Sequence, residues 1–316
     1  MGAVESVVET NADSVAHGIT YQLVIVIVSW NVRELLAQCL TSVAAAVEGL
    51  SIKTVVVDND SADGSADMVR EQFPEVELIS SGENLGFAKA NNRVLKNLSG
   101  QSRQFLLLNP DTVVSPDTFR NMIEFMDSHP SAGIVGCKVI KPDGTLDWAC
   151  KCSYIYPSLM FYRALGLDRR FPNSRRFGRY QLTYLDPNEI HEVDSVTGAF
   201  MMIRSECLEQ IGFLDESFFM YSEDSEFCYR AKAAGWKIFY VPTSTIVHHK
   251  GGSSAKASGR MIYHWYSGTW RLYKKHLAAS YSFPVNALVW TGLKFMLMVS
   301  SITSGLSKRK GVPSRR

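Results

Sequence analysis

The chain has 316 residues, 46% hydrophobic and 20% charged, enough for one large globular core or two ordinary ones. A formal net charge of +2 gives no reason to expect a nucleic-acid partner. The cysteines at 39, 137, 150, 152, 207 and 228 show neither a disulfide framework nor paired zinc-ligand spacing, so a reducing cytoplasm fits them best.

Residues 1–20 carry Glu5, Glu9 and Asp13 without an apolar core, and are expected to be a disordered tail rather than a secretory signal. Leu23–Ser29 reads as a continuous apolar strand, followed by helical spacing of Leu35, Leu36, Cys39, Leu40 and Val43. Residues 53–60 (KTVVVDND) form a second strand, with a helix through Met68, Val69 and Phe73. Residues 76–80 are a third strand and 86–98 a third helix; Phe105–Leu108 is a fourth strand. Helices alternating with strands that are apolar along their whole length predict a parallel sheet covered on both faces.

Such sheets bind ligands at the C-terminal ends of their strands. Polar residues stand at four of these ends: Ser29, Trp30 and Asn31; Asp58, Asn59 and Asp60; Asn84 with Gly86; Asn109 and Asp111. Any one group is ordinarily a turn or helix cap. Four on one edge point to a site. No G-x-G-x-x-G follows the first strand and no Walker A sequence occurs, which argues against a dinucleotide fold or a P-loop.

Residues 118–193 are mixed. Ile134–Ile140 and Leu146–Cys152 read as strands joined by the turn Lys141-Pro-Asp-Gly144. Next come Arg163, Arg169, Arg170, Arg175, Arg176 and Arg179, interleaved with Phe161, Tyr162, Phe171, Phe177 and Tyr180. This is either solvated surface or a contact for phosphate or anionic lipid. Ala199–Ile203 reads as a strand and residues 205–212 as a short helix. A further helix is opened by Ser222 and closed by Gly235. It carries Glu223 and Asp224 in its first turn and a Glu226–Arg230 pair at i,i+4 spacing. A short strand then ends in His248 and His249, before Gly251 and Gly252 as a flexible turn. Tyr263, Tyr266, Trp270 and Tyr273 recur at helical spacing, as a packing or interfacial stripe. Phe283–Leu306 is long and apolar, interrupted by Asn286 and Lys294. Its length permits a span, but the central Lys favours a helix lying in the interface. Lys308, Arg309, Lys310, Arg315 and Arg316 follow, a pattern suited to an anionic membrane surface.

In order along the chain, "VIVSWN", "VVVDNDSADGS", "ENLGFAKANN", "LLLNPDTVV", "VTGAFMMIRS", "GFLDESFFMYSEDSEFCYRAKAAGW" and "VPTSTIVHHKGGSS" resemble the motifs of family-2 glycosyltransferases of the GT-A fold. The resemblance is in particular to the bacterial rhamnosyltransferase-like enzymes of cell-surface polysaccharide synthesis, over about residues 21–276. The resemblance implies an α/β fold with a mainly parallel central sheet. Residues 21–115 would be a nucleotide-sugar half, 116–276 an acceptor and catalytic half, and 277–316 a membrane-associating helix and basic tail.

It further implies a metal-dependent, inverting hexosyltransferase with a nucleoside-diphosphate sugar as donor, dTDP-rhamnose being the first expectation, and a lipid-linked or polysaccharide acceptor. Donor contacts would come from Ser29, Trp30, Asn31, Asp58, Asn84, Lys89 and Asn109. Asp111 would hold Mn²⁺ or Mg²⁺ with His249, or with His248 as second choice. Asn109 stands where the family often has an Asp, so it either weakens the metal site or contacts sugar or ribose. Asp224 matches the general base and Glu223 an orienting acid; Gly198, Arg175 and Arg176 would face the acceptor. The protein would sit peripherally on the cytoplasmic face of the cell membrane. No Q-x-x-R-W follows the Glu223–Asp224 helix, which argues against processive synthesis. A nucleotidyltransferase and a non-catalytic scaffold with a degenerate site are the competing readings.

Overall fold

The structure, a computed structural model, describes residues 18–249 and 258–309. The expected N-terminal tail up to residue 17, the Gly251–Gly252 turn and the basic tail beyond Arg309 lie outside the described residues.

The first third folds as the alternation predicts: β1 (Tyr21–Ser29), α1 (Arg33–Ala46), β2 (Ile52–Asp58), α2 (Ser65–Gln72), β3 (Glu77–Ser80), α3 (Gly86–Leu98) and β4 (Ser102–Leu108). β1 pairs in parallel with β2 and β4, and β2 with β3. The runs Leu23–Ile27, Val55–Val57 and Phe105–Leu108 are buried throughout, because helices cover both faces of the sheet. β5 (Thr112–Val114), α4 (Thr118–Ser128), β6 (Ala132–Ile140), α5 (Pro157–Ala164), α6 (Leu167–Arg170), β7 (His191–Glu192), β8 (Phe200–Arg204), α7 (Ser205–Ile211), α8 (Glu223–Ala233) and β9 (Lys237–His248) follow.

One sheet of order β3-β2-β1-β4-β8-β6-β9-β5 carries both halves, with β7 on β9. β8 runs antiparallel to β4 and β6, β9 parallel to β6, and β5 antiparallel to β9. Strands β1, β2, β3, β4, β6 and β9 therefore end on one edge, and β8 and β5 begin there.

The strand expected over Leu146–Cys152 does not form. Only an isolated bridge joins Ile140 to Leu146. Asp147 then accepts a hydrogen bond from Ala149 N (3.1 Å) and winds Trp148–Cys150 into a 3-10 turn. The Lys151 side chain turns inward and is fully buried. Its Nζ donates to the Leu182 carbonyl (2.8 Å) and lies over the Trp148 and Tyr240 rings. The short strand expected before the two histidines is the last part of the twelve-residue β9.

Beyond the sheet lie α9 (Ser258–His276) and α10 (Phe283–Arg309). The aromatic stripe of α9 is mainly a packing face. Tyr273 is fully buried with Leu277, Val289 and Leu293, and Tyr266 and Trp270 pack on this cluster, whereas Tyr263 is exposed. α10 uses Val289 and Leu293 for that contact and leaves Phe283, Leu288, Phe295, Met298 and Ile302 exposed.

Candidate active site

The ends of β1 and β2 are in register, with Ser29 opposite Asp58. Asn31, in the left-handed region (φ 54°), ties the two loops. Its Oδ1 accepts from Ala62 N (2.8 Å) and its own N donates to Ser61 Oγ (2.9 Å). Asp58 Oδ2 accepts from Ser61 N at 3.0 Å. Asp58 Oδ1, Ser29 Oγ and Asn59 Oδ1 are buried without a protein partner among the described residues. A buried polar atom left so costs about 1–3 kcal/mol, so the ends of β1 and β2 would gain from a ligand that hydrogen-bonds these atoms. Trp30 is half-buried at the same strand end.

Asn84 and Lys89 are exposed, and the structure gives both local work. Asn84 Oδ1 accepts from Gly86 N (3.0 Å), and Lys89 faces Glu83 at 3.8 Å. Gly86 has φ +75°, and a Cβ there would collide with the Phe219 carbonyl oxygen. That carbonyl accepts from Phe87 N (2.8 Å), which ties the start of α3 to the loop leading into α8.

At the end of β4, Asn109 N donates to Ala199 O (3.1 Å), just before β8. Asp111 is buried, and its Oδ1 lies 3.0 Å from His248 Nε2. The β5–β9 register sets this contact by pairing Thr112 with His248. The side chain that meets Asp111 is thus that of His248, the second of the two expected choices, rather than that of His249: adjacent residues of an extended chain face opposite sides. His249 meets Asp111 through the backbone, its N donating to Asp111 O at 2.8 Å. Asn109 Nδ2 stands 3.4 Å from His248 Nε2. On the other side of the ring, His248 Nδ1 is 4.0 Å from Asp147 Oδ2. Asp147 was missed in the sequence because it falls in a segment that reads as strand, and nothing local distinguishes it.

Among the described residues no group of three or more His, Cys, Asp or Glu has metal-binding geometry. Asp111 and His248 nevertheless suit a divalent ion. Neighbouring ligands of an octahedral ion with bonds near 2.1 Å sit about 3 Å apart, and such ions keep water and substrate phosphate in their remaining positions. An imidazole beside the carboxylate favours Mn²⁺ over Mg²⁺.

α8 opens beside this group. Tyr221 and Ser222 both have positive φ (71° and 72°), a strained entry for residues with side chains. Ser222 makes no side-chain cap. Asp224 Oδ2 accepts from Gly198 N (3.1 Å) and its Oδ1 from Ser225 N (2.7 Å). A Cβ on Gly198 would press the Phe87 ring at 3.2 Å and meet Asp224 Cβ at 3.7 Å. Burial pushes the Asp224 carboxyl above its ordinary range, although the bonds from Gly198 and Ser225 pull it back. Burial and then the Asp224 charge push Glu223 well above the carboxylate range, and its Oε2 is buried without a partner among the described residues. Gly198 and Ala199 are consecutive, so one step between β4 and β8 links Asp224 to the Asn109–Asp111 end. No bond joins Arg175 or Arg176 to this group among the described residues; both are exposed on the segment after α6.

The family described as glycosyltransferase like family 2 matches residues 21–268. An N-acetylglucosaminyl-diphospho-decaprenol L-rhamnosyltransferase of Mycobacterium tuberculosis is 28% identical over 250 residues, covering 74% of this chain and 78% of that protein. The dTDP-rhamnosyl transferase RfbF of Shigella flexneri is 25% identical over 207 residues, covering 65% and 62%. The solved mannosyltransferase PcManGT from Pyrobaculum calidifontis, in complex with GDP-Man and Mn²⁺, superposes with a TM-score of 0.54 at 19% identity, covering 95% of this chain and 90% of that one. That likeness shows the GT-A fold. With the family matching most of its length and its strand ends converging on one edge, the chain belongs to glycosyltransferase family 2.

Proposed function

We propose that the protein is a metal-dependent, inverting rhamnosyltransferase that uses dTDP-rhamnose and a lipid-linked or polysaccharide acceptor in cell-surface glycan synthesis. The names of the two relatives support the sugar, and the decaprenol diphosphate in the first supports a lipid-linked acceptor. The observation that carries the reading is the grouping on one sheet edge of unpartnered Asp58 Oδ1, the Asp111–His248 pair and Asp224 bound to Gly198.

Asp58 Oδ1 accepts from a pyrimidine N–H, with Ser29 and Trp30 beside the base. Asn31 and Asn84 shape the loops around it, and Lys89 supplies positive charge at the third strand end. Asp111 and His248 would hold the metal, and Asn109 contacts sugar or ribose. A bound Mn²⁺ or Mg²⁺ offsets the charge that develops on the departing diphosphate. Asp224 takes the proton of the acceptor hydroxyl as that oxygen bonds to the anomeric carbon and the bond to the nucleoside diphosphate breaks. Attack in line with the departing group inverts the anomeric configuration. The raised Asp224 carboxyl is a stronger base than an ordinary one. Glu223 keeps its proton to higher pH than an ordinary carboxyl and orients the acceptor as a hydrogen-bond donor. The exposed apolar face of α10 seats the enzyme on the inner face of the cell membrane.

The test is a panel of nucleotide sugars assayed for Mn²⁺- or Mg²⁺-dependent turnover. Asp224→Asn should lower transfer by about 10²–10⁴-fold while donor affinity stays near that of the wild type. Wild-type rates in that variant would remove Asp224 as the base, and no metal-dependent turnover of any donor by the wild type would remove the reading.

A further inference from the structure

A cavity of about 430 Å³ opens beside α5, lined by Ser158, Leu159, Tyr162, Arg175, Arg176 and Arg179. No carboxylate lines it. Among the described residues none of its three guanidinium groups forms an ion pair. Arg176 Nε donates to the Tyr162 hydroxyl (2.9 Å) and its guanidinium stacks on Tyr162 and Phe177, while Arg179 lies over Tyr156. Acids on neighbouring segments are already engaged: Asp168 with Arg163 at 3.3 Å, and Asp194 with Lys232 at 2.6 Å. Like charges facing one concavity repel, and a polyvalent oxyanion that accepts in pairs from the planar forks relieves this.

The surroundings of the cavity are apolar and outward-facing. Phe161 on α5, Leu165 just after it and Phe171 just after α6 are exposed. Tyr156 and Met160 pack with Val289 and Leu293 of α10 in one cluster, so the start of α5 abuts the helix whose other face is apolar and exposed. The cavity is also tied to the catalytic side. Tyr180, next to Arg179, accepts from Ser153 N through its carbonyl (2.8 Å). Cys152 and Ser195 exchange backbone bonds, and Ser195 Oγ is 3.2 Å from the hydroxyl of Ser225, the residue after Asp224.

We infer that this cavity is the subsite for the phosphates of a membrane-anchored acceptor, a polyprenyl-type lipid diphosphate held at headgroup level while its sugar end reaches towards Asp224. The inference rests on the lipid-linked acceptor reading above. A phospholipid with one phosphate charge leaves the three guanidinium groups poorly matched; a diphosphate matches them better.

The experiment is flotation of the full chain with three sets of vesicles: phosphatidylcholine alone, phosphatidylcholine with phosphatidylglycerol, and phosphatidylcholine with a small fraction of a polyprenyl diphosphate. Soluble pyrophosphate is the competitor. The wild type should bind the diphosphate vesicles about tenfold or more tightly than either other set, and Arg175→Gln/Arg176→Gln should lose that preference. Its thermal midpoint should fall only slightly, because Arg175 is exposed and Arg176 gives up one exposed bond to Tyr162 and its contacts with two rings. Phe161→Ser/Leu165→Ser should weaken binding to all three sets alike. Equal Arg-dependent binding to phosphatidylglycerol overturns the inference in favour of a general anionic surface. Full displacement of the protein from the diphosphate vesicles by soluble pyrophosphate also overturns it, in favour of a free-anion site. The proposed transferase activity is read separately, by donor turnover. A wild type that turns over a donor but ignores the diphosphate lipid sinks only the subsite, and one that binds the lipid but turns over no donor sinks only the transferase reading.

Discussion

His248 sits between two carboxylates, with Nε2 at 3.0 Å from Asp111 Oδ1 and Nδ1 at 4.0 Å from Asp147 Oδ2. The first distance is a hydrogen bond and the second is not: Nδ1 is buried without a hydrogen-bond partner among the described residues, and Asp147 is near it only as a charge. In the proposed reading Nε2 would be the nitrogen given to a metal beside Asp111. Among the described residues His249 meets Asp111 through its backbone amide. In a Mn²⁺ titration of donor turnover, His248→Ala should raise the metal concentration needed by about 10–100-fold or more, and His249→Ala should leave it close to wild type. The reverse ranking would return the metal site to His249. Asn109 approaches the same ring with an amide, Nδ2 3.4 Å from Nε2, and the nearest other carboxylate to the ring is that of Asp147, on the Nδ1 side.

At the scale of one element, α8 divides its acids between chemistry and stability. Glu223 and Asp224 are the acids of the proposed chemistry, whereas Glu226, fully buried, clamps α8 to α9. It meets Arg230 at 2.9 Å, Lys275 at 2.7 Å and His276 at 2.9 Å. Burial alone would raise its carboxyl; the bond from Lys275, the Arg230 charge and the bond from His276 outweigh this and hold it below the ordinary range. A depressed folded pKa means stability that is present above the unfolded carboxylate value and lost as pH falls through the folded one. Asp215, brought to about 2 by Lys275 and Ser217 against its own burial, acts in the same direction. Glu223 has the opposite sign: its raised folded pKa costs stability as pH rises from the unfolded value towards the folded one. Glu226→Gln should therefore destabilise by about 3–5 kcal/mol at neutral pH, and the gap to wild type should close in acid. Denaturant unfolding across pH checks it, and a gap that persists when Glu226 is protonated would rule out the ionic clamp.

For the whole molecule, α10 has two faces with separate consequences. Val289 and Leu293 close the cluster around Tyr273, so removing the helix would uncover a core. Leu288 and Phe295 point outward, 70% and 59% exposed. Of the described helices, α10 is the one long and apolar enough to cross a bilayer by length and composition, over Phe283–Thr303. Leu288→Ser/Phe295→Ser should reduce recovery with membranes or vesicles without lowering the unfolding midpoint. A double variant that stays fully membrane-bound would show that this face does not hold the protein there.

The parallel half of the sheet was legible in the sequence, since strands buried on both faces must be apolar throughout and their helices must repeat with the helical period. The same pattern located Ser29, Asp58, Asn109 and Asp111 at strand ends, because a chain leaving a buried strand turns polar where it meets the edge. Only the tertiary structure inserted antiparallel β8 between β4 and β6, and carried β5 away from its neighbour in sequence to pair with β9. That pairing set the His248 side chain, rather than that of His249, against Asp111, across 137 residues of chain. It also brought in Asp147 from a segment that reads as strand, and the fold gathered Arg175, Arg176 and Arg179 around one cavity. Local pattern records which residues must be buried; which side chains face one another depends on strand register and on packing between distant segments, and no local period encodes either.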